Sequence, residues 1–190
     1  MIRQAVPADV KQAIPLILQA IDDIAFLLSG TPDTGETELI LSDFFRQPGN
    51  RLSYENCLVL EDGGEVVGIA ILYDGAEAHN LNLPVEQAAA KKTGNAEYQI
   101  PIEPEESEFY LDAIGVNPSC HGRGFGTALI EAACAHARKL GHTRFALLVE
   151  TENSAAKRLY DRVGFHSDGT KWIAGKEYYH MVRQLGTVSG

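Results

Sequence analysis

Apolar positions in the first quarter of the chain recur at helical spacing. Ile14, Ile17, Leu18, Ile21 and Ile24 stand three or four apart, which predicts an amphipathic helix after Pro7-Ala8-Asp9, with Asp9 near its start as a cap. Pro15 lies inside this pattern and is expected to kink or split the helix, because it lacks an N–H and its ring crowds the preceding turn. Ser29-Gly30-Thr31-Pro32 interrupts the chain, helical spacing resumes from Glu36 to Phe45, and Gln47-Pro48-Gly49-Asn50 ends it. Ahead of these helices, Ile2 to Val6 reads as a short strand.

The pattern then changes period. Asn56 to Leu60 and Val66 to Tyr73 are β-rich runs around Glu61-Asp62-Gly63-Gly64-Glu65, a hairpin with glycines where its turn needs positive φ. Phe109 to Val116 and Phe145 to Val149 read as strands. They alternate with helices predicted over Thr127 to Leu140 and Ser154 to Val163, closed by Gly141 and Gly164. Two more strands, around Lys171 to Ile173 and Glu177 to Arg183, end the series. This order predicts an α/β protein (α+β in some schemes): a mixed central sheet of about seven strands with helices on both faces. The unit from Phe109 to Val149 should be parallel with a right-handed crossover. Asp74 to Glu108 is less regular. It holds a helix-like piece, Val85 to Lys92, two prolines, and the acidic cluster Glu103, Glu105, Glu106 and Glu108. It reads as a solvated excursion, or as a loop on the substrate side, since long loops in compact domains often carry function.

Composition narrows the class. The 190 residues suit one domain, 1–190, with the excursion at about 74–108, and are enough to bury a core without staples. Cys57, Cys120 and Cys134 form no CxxC pair, so neither a disulfide framework nor a zinc knuckle is expected, and the histidines show no metal spacing. Cys120 precedes a glycine-rich stretch, but no activating base for a cysteine nucleophile is identifiable. MIRQAVPADVKQ lacks the apolar core of a secretory signal, and no apolar run is long enough to span a membrane, so a cytoplasmic protein is expected. The net charge of −10 argues against nucleic acid as a partner and is compatible with a cationic one.

Between a predicted strand and a predicted helix lies NPSCHGRGFGT, residues 117–127. Gly122, Gly124 and Gly126 remove three side chains, so a ligand can approach the backbone closely, and the loop runs into a helix N-terminus with free N–H groups. That combination suits a diphosphate, and Arg123 adds a cation. It is not the dinucleotide fingerprint, because Thr127 or Leu129 stands where the third glycine belongs. Nor is it a Walker A loop, because no lysine precedes Thr127.

The run from Val116 through Thr127-Ala128-Leu129 resembles motif A of the GNAT superfamily of acyl-CoA-dependent N-acyltransferases, whose pattern here is Q/R-x-x-G-x-G/A. Gly124 and Gly126 match, and His121 replaces the usual Gln or Arg. Asn153-Ser154-Ala155-Ala156-Lys157-Arg158-Leu159-Tyr160, followed by Gly164-Phe165, is similar to the family's NxxAxxLYxxxGF block, residue for residue. The resemblance covers nearly the whole chain except Asp74 to Glu108.

The resemblance implies a GNAT-like fold in which the parallel strands Phe109 to Val116 and Phe145 to Glu150 splay apart to admit the pantetheine arm. Ile114, Gly115 and Val116 would then offer the backbone edge, with an N–H near Ile114 polarising the thioester carbonyl. His121, Gly122, Arg123, Gly124, Phe125, Gly126 and Thr127 would hold the pyrophosphate. Asn153, Ala156 and Lys157 would lie beside the cofactor, with Asn153 also suited to cap its helix and Lys157 equally suited to a solvated face. Tyr160 would protonate the departing thiolate. Asp112 is the candidate base for the amine, read as alternating with Tyr110 and Ile114 on one strand face, and Glu108 is a second candidate of the same parity. A structural, hydrogen-bonded carboxylate is the alternative for Asp112. The implied function is acetyl transfer from acetyl-CoA, without a metal, to a primary amine of a small molecule or peptide by direct attack. A protein N-terminus or lysine is an alternative acceptor, and a non-catalytic acyl-CoA sensor is an alternative of another class. A homodimer would be an ordinary state for such an enzyme.

Overall fold

The computed structural model describes residues 1–186, and its strands form one seven-stranded sheet. The strands are β1 (Ile2–Gln4), β2 (Cys57–Asp62), β3 (Glu65–Asp74), β4 (Phe109–Val116), β5 (Arg144–Glu150), β6 (His166–Ile173) and β7 (Lys176–Gln184). They lie in the order β1-β2-β3-β4-β5-β7-β6, and every neighbouring pair is antiparallel except β4 and β5. The helices are α1 (Val10–Ile21), α2 (Ile24–Ser29), α3 (Thr34–Arg46), α4 (Ala78–Thr93), α5 (Phe125–Lys139) and α6 (Ser154–Arg162).

Strand alternation divides the core between the two faces of the sheet. Val59, Ile69 and Ile71 point into one apolar cluster with Ile14 and Ile17 of α1 and Leu41 and Phe45 of α3. Leu58, Leu60, Ala70 and Leu72 point into the other, with Leu129, Ile130 and Ala133 of α5. Full burial of a side chain such as Ile17 contributes about 1.5–3 kcal/mol, so the two faces bind the helices to the sheet.

Pro15 does not split the first helix. α1 runs through it, because its apolar face packs on β3 and β4 and that burial outweighs one missing hydrogen bond. The break falls instead at Asp22, whose φ of 46° and ψ of −124° turn the chain into α2. Asp9 is not a side-chain cap of α1. Its carboxylate accepts the Val6 N–H at 2.8 Å and pairs with Arg3 at 2.8 Å. α3 does carry such a cap, Asp33, which accepts the Glu36 N–H at 2.7 Å.

The stretch 74–108, expected as a solvated excursion, is only partly exposed. α4 is longer than the predicted piece and buries Ala78, Asn82, Val85 and Ala89. Glu103 and Glu108 are buried as well. β6 is also longer than predicted; its solvent-facing residues gave no alternating signal.

Two features of β4 set up the site. Ile71 of β3 pairs with Ala113 while Leu72 pairs with Leu111, so Asp112 is the extra residue of a β-bulge. The pairing of β4 with β5 covers Phe109–Phe145, Tyr110–Ala146 and Leu111–Leu147. Past those three pairs the strands part.

Candidate active site

The bulge changes which β4 side chains share a face. Tyr110 belongs to the cluster with α1, as does Ala113, whereas Leu111 and Ile114 pack on the α5 side. Asp112 and Ile114 therefore do not share a face, contrary to simple alternation. Gly115 lies where α1 crosses β4: a Cβ there would stand 2.7 Å from the Leu16 carbonyl oxygen, so only glycine permits the crossing.

A cavity of about 260 Å³ opens where β4 and β5 part. Asp112, Ala113 and Ile114 line one side and Leu148, Val149 and Glu150 the other. Asn153, Ala156 and Tyr160 of α6 border it, with Asp22, Ile24, Ile173 and Tyr178 across the opening. A second cavity, of about 410 Å³, adjoins along β4 and α6 and is lined by Val116, His121, Gly122, Gly124, Phe125, Gly126, Thr127, Leu159 and Arg162.

The glycine stretch is built as its composition predicts, with the helix starting two residues early. Gly122 and Gly124 have φ of 78° and 79°, and Gly124 is the N-cap of α5, so Phe125, Gly126 and Thr127 form its first turn. Their N–H groups have no carbonyl one turn back and give the cavity a positive rim. His121 turns back onto β4, its Nε2 3.0 Å from the Val116 carbonyl oxygen. Arg123 pairs with Asp62 at 2.6 Å and lies over the Phe125 ring. Lys157 pairs with Asp161 at 3.0 Å.

Asn153 is the N-cap of α6 and accepts the Ala156 N–H at 3.0 Å, which fixes the helix that carries Tyr160. The Tyr160 ring is buried edge-on against Phe165. Burial pushes its pKa up to about 12, so the hydroxyl keeps its proton at neutral pH. That hydroxyl has no protein hydrogen-bond partner among the described residues and lines the first cavity.

Asp112 is the centre of a buried polar network. Arg51, 2% exposed, reaches Asp112 Oδ1 at 2.5 Å and Glu103 Oε1 at 3.2 Å, and donates to Asn82 at 3.2 Å. Tyr73 donates to Asp112 Oδ1 at 3.2 Å, and Tyr110 to Glu103 Oε2 at 2.6 Å. Burial raises the Glu103 pKa, against the pull of Arg51. With Oδ1 held twice, Asp112 Oδ2 has no protein partner among the described residues and is not sealed from the cavity.

Glu108 is elsewhere. It lies at the other end of β4, fully buried, with its carboxylate 3.0 Å from Arg144 and 2.9 Å from His180. It does not line either cavity. Burial alone would raise its pKa, but His180, the Glu105 N–H and Arg144 together hold it at about 2. Both of its oxygens are held and neither faces a cavity, so it is not placed to take a proton from a substrate.

A splayed parallel pair, a glycine-rich turn feeding a helix, and a buried tyrosine and a carboxylate lining one cavity come together where β4 and β5 part. The family model described as Acetyltransferase (GNAT) family matches residues 25–165, and the chain belongs to that family. A solved acetyltransferase is 30% identical, with a TM-score of 0.78 over 98% of this chain and all of that one. An N-acetyltransferase from Staphylococcus aureus Mu50 is 26% identical, with a TM-score of 0.78 over 96% and 99% of the two chains. The mycothiol acetyltransferase of Geodermatophilus obscurus is 41% identical over 61 residues, which are 31% of this chain and only 20% of that protein's length.

The sequence reading did not single out Asp22, Tyr178 or Arg162, and saw Glu103 only as part of an acidic run. The Asp22-Asp23 pair between Ile21 and Ile24 was the one available signal, an interruption of an otherwise apolar helical stripe.

Proposed function

We propose that the protein transfers the acetyl group of acetyl-CoA to a primary amine by direct attack. The observation that carries this reading is the parting of β4 and β5 beyond Leu111 and Leu147, beside a cavity that holds both Tyr160 and Asp112. The turn at Gly122–Thr127 fits a pyrophosphate: no side chain fills it, and a helix N-terminus faces it. His121 supports the loop by holding the Val116 carbonyl, and Arg162, absent from the sequence-based set, borders the same cavity. On its edge facing β5, the β4 backbone from Asp112 to Val116 has no strand partner and can bond an amide-bearing chain in the cavity beside Tyr160.

In the reaction, the amine nitrogen forms a bond to the acetyl carbonyl carbon and the carbon–sulfur bond breaks. Asp112 Oδ2 takes the proton the amine loses, directly or through a water, and Tyr160 protonates the departing sulfur. The backbone near Ile114 stabilises the oxyanion. Glu108 has a structural role, tying β4 to β5 and β7. No helix is long and apolar enough to cross a membrane. The three buried free thiols suit a reducing, cytoplasmic setting.

Thiol release from acetyl-CoA over a panel of amines tests the reading. Turnover is expected, with Tyr160→Phe lowering kcat about a hundredfold or more while CoA affinity holds. Tight CoA binding with no release on any amine would favour a sensor instead.

A further inference from the structure

Resting on the acetyltransferase reading above, we infer that the acceptor is a small dication. It carries a primary amine joined through an aliphatic spacer to a second cationic group, and Asp22 selects for that second charge. Four carboxylates line the cavity that holds Tyr160, namely Asp22, Glu103, Asp112 and Glu150, and among the described residues no lysine, arginine or histidine lines it. Their neutralisation is incomplete. Lys176 lies 2.9 Å from Glu150. Glu103 and Asp112 share the single guanidinium of Arg51. Asp22 has no side-chain hydrogen bond or ion pair among the described residues.

The chemistry of the step says where the missing charge must come from. An amine attacks a thioester only as the free base, because a protonated nitrogen has no lone pair to give. The attacked nitrogen therefore cannot neutralise the cavity during the reaction, and a second cation on the same molecule can. Asp112 is suited to the attacked end. Its side chain is 4% exposed, with Oδ1 clamped by Arg51 and Tyr73 and Oδ2 unpartnered on the cavity. Asp22 is suited to the far end, exposed at the junction of α1 and α2.

The backbone at Asp22 supports a selected position. Its φ of 46° with ψ of −124° lies outside the regions favoured by side-chain-bearing residues, a conformation that costs about 1–3 kcal/mol. Two bonds hold it: the Asp22 N–H donates to Leu18 at 3.0 Å, and its carbonyl accepts from Ala25 at 3.0 Å. Ile21, Ile24 and Ile173 give the same cavity apolar walls that suit methylene groups. An acceptor bearing a carboxylate would meet the same field with the wrong sign.

The test is the initial rate of thiol release from acetyl-CoA with 1,4-diaminobutane, butylamine, β-alanine and a lysine-containing peptide, using wild-type protein and Asp22→Asn. Asparagine tolerates positive φ better than most residues, and an unchanged melting curve verifies the fold. Diaminobutane should exceed butylamine in kcat/KM by about tenfold. Asp22→Asn should reduce that ratio about fivefold, and rising ionic strength should reduce it in the wild type. Equal use of butylamine or β-alanine, a preference for the peptide, or an unaltered ratio in Asp22→Asn overturns the inference while leaving the acetyltransferase reading standing. CoA binding with no thiol release on any amine overturns both.

Discussion

Glu108, just ahead of β4, and Asp112, within it, stand four residues apart and carry the same side-chain chemistry, yet their surroundings differ: Asp112 lines the cavity and Glu108 does not. Glu108 is sealed between Arg144 and His180, and its depressed pKa is a stability statement. A carboxylate held at about 2 against an ordinary 4.5 favours folding by about 3 kcal/mol. Because the folded value is the lower one, this contribution is complete above about pH 4.5 and is lost as pH falls towards 2. Glu108→Gln should therefore cost about 3 kcal/mol in urea unfolding at pH 7, and the gap to wild type should narrow below pH 4.5. A constant gap across that window would remove the ion pairs as its cause. At this scale the sequence motifs and the strand pattern led to residues that the structure brings to one cavity, Tyr160, Asn153 and Asp112. The strand faces around Asp112 were less legible. One bulged residue separated Asp112 from Ile114, with which it had been grouped, and a bulge depends on the partner strand's register, while Glu108 lies at the far end of β4 from the cavity.

Among the elements, the first turn of α5 offers the cleanest separation of stability from binding. Gly126 has ordinary helical geometry, and an added Cβ would meet only Leu159, at 3.9 Å. Gly124, at φ 79°, would strain under any side chain, so its replacement would confuse loop damage with lost contact. Gly126→Ala should raise stability by about 0.5–1 kcal/mol, as alanine replaces glycine in a helix, yet weaken CoA binding about tenfold or more. Calorimetric titration beside a thermal melt checks both halves. Unchanged affinity would mean that the turn does not cradle the pyrophosphate. Most elements were readable from hydrophobic period and caps alone. The exceptions were α4, of which only Val85 to Lys92 read as helix-like, β6, whose outward residues carry no alternation, and the break at Asp22, where tertiary packing carried α1 past the proline expected to kink or split it.

For the molecule as a whole, Arg51 joins segments that the sequence holds far apart. Its partners Glu103 and Asp112 lie 52 and 61 positions away, and Asn82 comes from α4. Replacing it would leave two largely buried carboxylates at the cavity wall without their shared counter-ion. Arg51→Met should cost about 3–5 kcal/mol in chemical denaturation, and Arg51→Met with Asp112→Asn and Glu103→Gln should recover part of that loss. A cost below about 1 kcal/mol would show that the cluster is wetter than its burial implies. No local pattern announces such a network, which explains why 74–108 read as a solvated excursion or a substrate-side loop with no residue singled out, although its Glu103 lines the cavity. The parted strands have a consequence of their own. From Asp112 to Val116 the run of β4 that has left β5 measures about 13 Å at ordinary strand rise. The gap is thus a ruler, closed at one end by paired strands and marked at the other by the start of α5. If the proposed acyl donor lies along it, the donor's length as much as its chemistry decides whether its carbonyl reaches the cavity that holds Tyr160.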